Sequence, residues 1–187
     1  VPSLTPVMCA NAVIFTGATP IFVDVDKDTF LMDYRDVEKK ITKKTKAIIV
    51  VHFAGLSCDM DKILKISKKY SIKIIEDCAH AIETKFKNKH AGTFGDTGCF
   101  SFYSTKNITT SEGGMLITKN RDIAKRVKNL RLHGLSRDAW KRYSMRGKYK
   151  SYDIFETGFK YNLSNLSAAL GINQLKKIDF LWKKREK

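Results

Sequence analysis

Gly95-Asp96-Thr97-Gly98-Cys99-Phe100-Ser101-Phe102-Tyr103-Ser104-Thr105-Lys106-Asn107-Ile108-Thr109-Thr110-Ser111-Glu112-Gly113-Gly114-Met115 reads as a strand, a turn and the start of a second strand. The β-type run Cys99 to Tyr103 delivers Lys106 into a turn rich in Ser, Thr and Gly, and an apolar run from Met115 follows directly. A lysine at the end of a central strand is poorly placed as a solvated surface charge. It is well placed as a nucleophile that forms an imine with a carbonyl. Upstream, Ile72-Lys73-Ile74-Ile75-Glu76-Asp77-Cys78-Ala79-His80 is a second strand, ending in acid and imidazole. Alternation along it turns Glu76 away from the face of Asp77.

Working outward, strand-like runs alternate with helical ones. The strands are predicted at Ile21–Val25, Ala47–His52, Ile72–Glu76, Cys99–Tyr103 and Met115–Thr118. The helices are predicted at Pro6–Thr16, Asp33–Ile41, Asp59–Tyr70, Asp122–Leu130 and Ser164–Leu175. Asp33 and Asp59 suit N-caps, and Gly17 suits a helix C-terminus. This alternation predicts an α/β fold with a mainly parallel sheet and helices on both faces. Ligands of such sheets gather outside the carboxyl ends of strands, where Asp77, His80 and Lys106 all fall. A strand-end lysine with a strand-end aspartate suggests pyridoxal phosphate (PLP), the lysine holding the aldehyde and the carboxylate pairing with the ring nitrogen. A lysine in a phosphate-binding turn is the bland alternative, but no P-loop pattern precedes Lys106. For Asp77 the alternative is a helix N-cap.

Composition sets the outer bounds. Hydrophobic residues make up 43% of the 187, enough for a packed core and too many for disorder. No apolar run approaches a membrane span, and the start, Val1-Pro2-Ser3, lacks a basic n-region and an initiator methionine. A soluble, cytoplasmic fragment or processed piece is expected. Cys9, Cys58, Cys78 and Cys99 form no C-x-x-C pair, so free thiols in a reducing compartment are expected, with no metal site. The formal net charge of +16 raises nucleic-acid binding. The basic residues, however, come as scattered pairs without a recognition motif, which fits solvated helix faces and anionic small ligands better. Between His133 and Glu156, Trp140, Tyr143, Tyr149 and Tyr152 interleave with Arg137, Lys141, Arg142, Arg146, Lys148 and Lys150, a pattern able to stack bases or to form a loop near an active site.

A set of segments in chain order carries a resemblance. They are Val1-Pro2-Ser3-Leu4-Thr5, Asn11 to Asp26 with the turn Gly17-Ala18-Thr19-Pro20, and Val51-His52-Phe53-Ala54-Gly55 with Cys58-Asp59-Met60. Glu76 to Ala81, the Lys106 segment, Leu130-Arg131-Leu132-His133-Gly134 and Gly158-Phe159-Lys160-Tyr161-Asn162-Leu163-Ser164 complete it. Together they resemble the DegT-type family of nucleotide-sugar aminotransferases, PLP enzymes of the aspartate-aminotransferase fold. The resemblance implies a large domain incomplete at both ends. Residues 1–157 would be the PLP-binding core without its N-terminal segment, and 158–187 an interface loop and helix leading toward a small C-terminal domain. The phosphate-cradling turn of the family would precede Val1, so this chain alone is expected to hold PLP poorly.

The resemblance also implies roles. Lys106 carries the imine and moves the proton, and a lysine there argues against the family's sugar 3-dehydratases, which have histidine. Asp77 keeps the pyridine nitrogen protonated, and His80 lies against the ring or its phenolic oxygen. Ser101 binds the phosphate. So does Asn162, which reaches it from the neighbouring subunit of a homodimer with a shared active site. Pro6 stands where the family has a stacking aromatic. The implied reaction moves an amino group from an amino acid, glutamate by the resemblance, onto a keto-deoxy nucleotide sugar, most similar to 4-keto substrates. No nucleic acid or membrane partner is implied. Two rivals remain: a catalytically incomplete chain that keeps the fold and only binds, and a basic nucleic-acid-binding α/β domain. A visible cofactor band removable by borohydride separates them from the enzyme.

Overall fold

In the computed structural model, residues 1–136 and 153–185 are described. The basic aromatic residues from Arg137 to Tyr152 therefore lie outside the described residues. The chain divides into two compact units, Val1–Ile117 with Leu166–Lys187, and Thr118–Asn165.

The first unit holds a four-stranded sheet. Strands β1 (Ala47–Val51), β2 (Lys73–Asp77), β5 (Thr97–Ser101) and β6 (Gly114–Ile117) lie in the order β1-β2-β5-β6. The first three run parallel and β6 is antiparallel to β5. The register sets Val51 beside Asp77 and Asp77 beside Cys99, so the ends of three strands meet at one edge. The near-continuous apolar run of β1, AIIVV, suits a strand covered on both faces.

Helices α1 (Met8–Ile14), α2 (Tyr34–Lys40) and α3 (Met60–Tyr70) precede or link these strands. Asp33 caps α2 by accepting from the Arg35 amide, and Asp59 caps α3 by accepting from the Lys62 amide. Gly17, at φ 76°, follows α1 and closes it with a bond from its amide to the Ile14 carbonyl. Met60, Ile63 and Ile66 lie on one face of α3 and pack in a core with Val37, Ile48, Val50 and Ile74. Burying each of these side chains is worth about 1.5–3 kcal/mol.

Four features depart from expectation. Ile21–Val25 is not a ladder strand: Val23 makes one parallel bridge to Pro2, and Val25 one antiparallel bridge to Met32. The strand expected at Cys99–Tyr103 sits at Thr97–Ser101, because the Phe102 carbonyl turns to accept from the Thr110 amide and Ser101 Oγ accepts from the Tyr103 amide. A small hairpin, β3 (Lys85–Phe86) and β4 (Lys89–His90), turns through Lys87 and Asn88, both at positive φ. Finally, α5 (Asn165–Lys176) is followed by a further helix, α6 (Ile178–Arg185).

The second unit contains α4 (Arg121–Leu130), capped by Asn120, which accepts from the Asp122 and Ile123 amides. Bridges Leu132–Lys160 and Leu135–Ile154 and a bidentate Arg126–Glu156 pair hold it together. Among the described residues, no helix is long and apolar enough to cross a membrane.

Candidate active site

Asp77 closes β2, and the chain then turns through Cys78, Ala79 and His80. One carboxylate oxygen of Asp77, Oδ1, accepts from the Ala79 amide at 2.9 Å. The other, Oδ2, accepts from the Cys9 thiol at 3.0 Å. Lys106 lies in the turn after β5, its amide bonded to the Tyr103 carbonyl. Lys106 and His80 line one cavity of about 340 Å³ with Ala54, Gly55, Glu83, Thr84, Thr105, Asn107 and Trp182. Burial lowers the His80 pKa from its ordinary value of 6.5, and the Lys106 charge lowers it further, while Asp77 opposes both. The imidazole is therefore close enough to feel both the strand-end amine and the strand-end carboxylate.

The wall opposite is set by Gly55. Its φ is 84°, and a Cβ there would stand 3.1 Å from the His80 carbonyl. Thr84 Oγ1 donates to the Gly55 carbonyl at 2.6 Å, and Phe53 meets His80 edge-on at 6.3 Å. The turn after β1 is thus clamped against the His80 loop. On the lysine side, Asn107 Nδ2 donates to Glu83 at 2.8 Å, and Arg185 donates to the Asn107 carbonyl at 2.7 Å.

Ser101 ends β5, and its hydroxyl oxygen accepts from the Tyr103 amide. It does not line the cavity of Lys106. Asn162 belongs to the second unit, where its side-chain oxygen accepts from Lys160. Pro6 precedes α1, and its carbonyl accepts from the Cys9 amide. The structure thus brings Lys106 and His80 to one cavity, with Asp77 beside the turn that carries His80, and leaves Ser101 outside that cavity.

A buried hub lies beneath. The fully buried Glu76 accepts from His52 Nε2 at 3.0 Å and from the amides of Gly92, Phe94 and Gly95 at 2.7, 2.8 and 2.6 Å. The Cys58 amide donates to His52 Nδ1, which assigns the proton to Nε2. Burial pushes the Glu76 pKa up, but the His52, Gly95 and Gly92 donors outweigh it and the net shift is down. His52, Glu76 and Cys78 are the type of side chains that bind metals, with ligand atoms within 4.8 Å of one another. Here main-chain amides already occupy His52 Nδ1 and both Glu76 oxygens, so the cluster serves to bind the 92–95 loop to β2. Gly98 makes that loop possible, since a Cβ there would lie 2.4 Å from the Gly92 carbonyl oxygen.

Sequence reasoning missed Cys9, the His52–Glu76 pair, Glu83 and Trp182. Cys9 and Asp77 are 68 residues apart, and nothing local marks the contact. His52 stood within a quoted segment but carried no signal of its partner.

The profile of the DegT/DnrJ/EryC1/StrS aminotransferase family matches residues 1–187. The chain belongs to this family. SpsC of Bacillus subtilis, a spore coat polysaccharide biosynthesis protein, is 46% identical over 177 residues, or 95% of this chain. Among solved structures, Spr1654 of Streptococcus pneumoniae in its PMP-form superposes with a TM-score of 0.90 at 34% identity, over 99% of this chain and 51% of that one. The same protein is also known in a PLP-form. Helicobacter pylori PseC, an aminotransferase involved in pseudoaminic acid biosynthesis, superposes with a TM-score of 0.89 at 33% identity, over 98% of this chain and 47% of that one. This chain spans 45% of SpsC and 45% of a Methanocaldococcus jannaschii relative that is 53% identical over 176 residues. It is therefore about half the length of the curated relatives it matches. The family is one of PLP-using sugar aminotransferases, and the fold is its mostly parallel α/β sheet.

Proposed function

We propose that the complete protein is a PLP-dependent aminotransferase that moves an amino group from glutamate onto the keto group of a nucleotide-linked deoxy sugar, a 4-keto sugar by the Leu132-His133-Gly134 and Gly158 to Asn162 segments. One observation carries the reading: Lys106 and His80 line one cavity at the ends of strands β2 and β5, beside Asp77. The donor set fits the cofactor, since a primary amine, an imidazole and a carboxylate with spare acceptor capacity are the groups an aldehyde-bearing pyridine needs. When bound, PLP supplies an electron sink for the bond-breaking at the amino carbon. Lys106 would be the amine that holds the aldehyde, and the base available to move a proton beside it. Asp77 would accept from the ring N–H and so favour the protonated ring. His80, held neutral by burial and by the Lys106 charge, offers a flat face and no competing positive charge.

Ser101 and, from a partner subunit, Asn162 hold the phosphate, so the working form is a homodimer. No nucleic acid or membrane is bound, and the protein works in the cytoplasm. The dispersed positive charge attracts the anionic donor and nucleotide. Incubation of the complete protein with PLP, glutamate and a 4-keto nucleotide sugar should yield 2-oxoglutarate and amino sugar in equal amounts. Glutamate-dependent reduction of the cofactor band with no amination of any keto sugar offered would contradict the substrate class.

A further inference from the structure

Asp77 is held by a side chain 68 residues earlier in the chain. Thr5 Oγ1 donates to Cys9 Sγ at 3.2 Å, and Cys9 Sγ donates to Asp77 Oδ2 at 3.0 Å. The Ala79 amide donates to Oδ1 at 2.9 Å. Each carboxylate oxygen thus receives one donor from the protein, and each keeps acceptor capacity. Cys9 sits in α1 and is only 6% exposed, so its sulfur is fixed by the helix and not by solvent.

We infer that Cys9 is a positioning residue for Asp77. The Thr5–Cys9 relay sets the plane of the carboxylate and so the direction from which it can receive a ring N–H. This rests on the cofactor reading proposed above. Cys9 accepts from Thr5 and donates to Asp77, so toward the carboxylate it acts as a donor. Its thiol is pushed up to about 11: burial raises it most, the Thr5 bond lowers it in part, and the Asp77 bond and charge raise it again. A protonated thiol has one hydrogen, and with Thr5 donating to the sulfur it goes to Asp77 Oδ2. A thiolate at this position would repel the carboxylate and leave Oδ2 unpaired, so the arrangement requires the neutral form.

The contact and its purpose are tested separately in the complete protein. In the PLP-free form, the rate of alkylation of Cys9 is followed against pH by peptide mass spectrometry. The wild-type thiol should reach half-maximal reactivity near pH 11, and Asp77→Asn should move that midpoint to lower pH. An unchanged midpoint overturns the contact.

Cys9→Ser keeps a donor and Cys9→Ala removes it at similar volume. PLP affinity and the pH profile of the bound cofactor's visible band should be near wild type in Cys9→Ser. In Cys9→Ala the affinity should fall about tenfold, with the band profile displaced. Cys9→Ser and Cys9→Ala behaving alike in both readouts overturns the positioning role, since a mere filler of space gains nothing from a hydroxyl. If the wild-type protein binds no PLP, the proposed function fails and takes the positioning role with it. The alkylation midpoint still decides whether the contact exists.

Discussion

Replacing Glu76 with glutamine tests the hub that binds the 92–95 loop to β2. In the native site, Oε1 accepts from the Phe94 and Gly95 amides and Oε2 from the Gly92 amide and His52 Nε2. A glutamine can keep one oxygen in place but sets an NH2 group where the other was. Its best orientation faces Phe94 and Gly95 with oxygen and turns two N–H bonds toward the Gly92 amide and His52 Nε2. Two buried donors are then left without an acceptor, at ~1–3 kcal/mol each, so a loss of about 3 kcal/mol follows. His52 gives no relief by changing tautomer, because Nδ1 must stay unprotonated to accept from Cys58. Urea unfolding of the complete protein measures the loss, and amide exchange at Gly92, Phe94 and Gly95 localises it. The pH dependence supplies a second signature. The folded Glu76 pKa lies below its ordinary 4.5, so its stabilisation is present above that value and disappears as pH falls through the folded pKa. Glu76→Gln should lack this component. A loss under ~0.5 kcal/mol with unchanged exchange at the three amides would refute the hub, given the cost expected for orphaned donors.

Three further outcomes follow from the same geometry. Asp77→Asn should keep the fold and slow turnover by several orders of magnitude, as steady-state kinetics with glutamate would show; near-normal turnover removes Asp77 from the nitrogen. The His80 pKa is lowered, first by burial and then by the Lys106 charge, so His80 weakens folding as pH falls below about 6.5; imidazole NMR should show its pKa rising in Lys106→Met, and a fall would contradict the proximity. Gly98→Ala should be strongly destabilising, because its Cβ would press on the Gly92 backbone, and thermal unfolding of that variant at wild-type temperature would show that the loop can give way.

Much of the sheet was legible because its signals are local. The apolar run at Ala47, the alternation through Ile74 and Glu76, and the aspartates at 33 and 59 each declare strand or cap within a few residues. The strand-end positions of Asp77 and Lys106 followed from the same pattern. What stayed hidden depends on partners far along the chain. Ile21–Val25 has the composition of a strand but forms only single bridges, to Pro2 and to Met32. The β3–β4 hairpin turns on Lys87 and Asn88 without a glycine to announce it. Helix α6 is not among the predicted helices, although Ile178, Leu181 and Trp182 recur at helical spacing. The His52–Glu76 bond spans 24 residues and the Cys9–Asp77 bond 68, and no local pattern encodes either.

The central claim is that Lys106 is the residue that links covalently to the cofactor. The complete protein is loaded with PLP, reduced with borohydride, digested and mapped by mass spectrometry. The account predicts loss of the visible band and a single pyridoxyl label on the peptide carrying Lys106, absent in Lys106→Ala. A label on any other lysine, or a band that survives reduction, would contradict it.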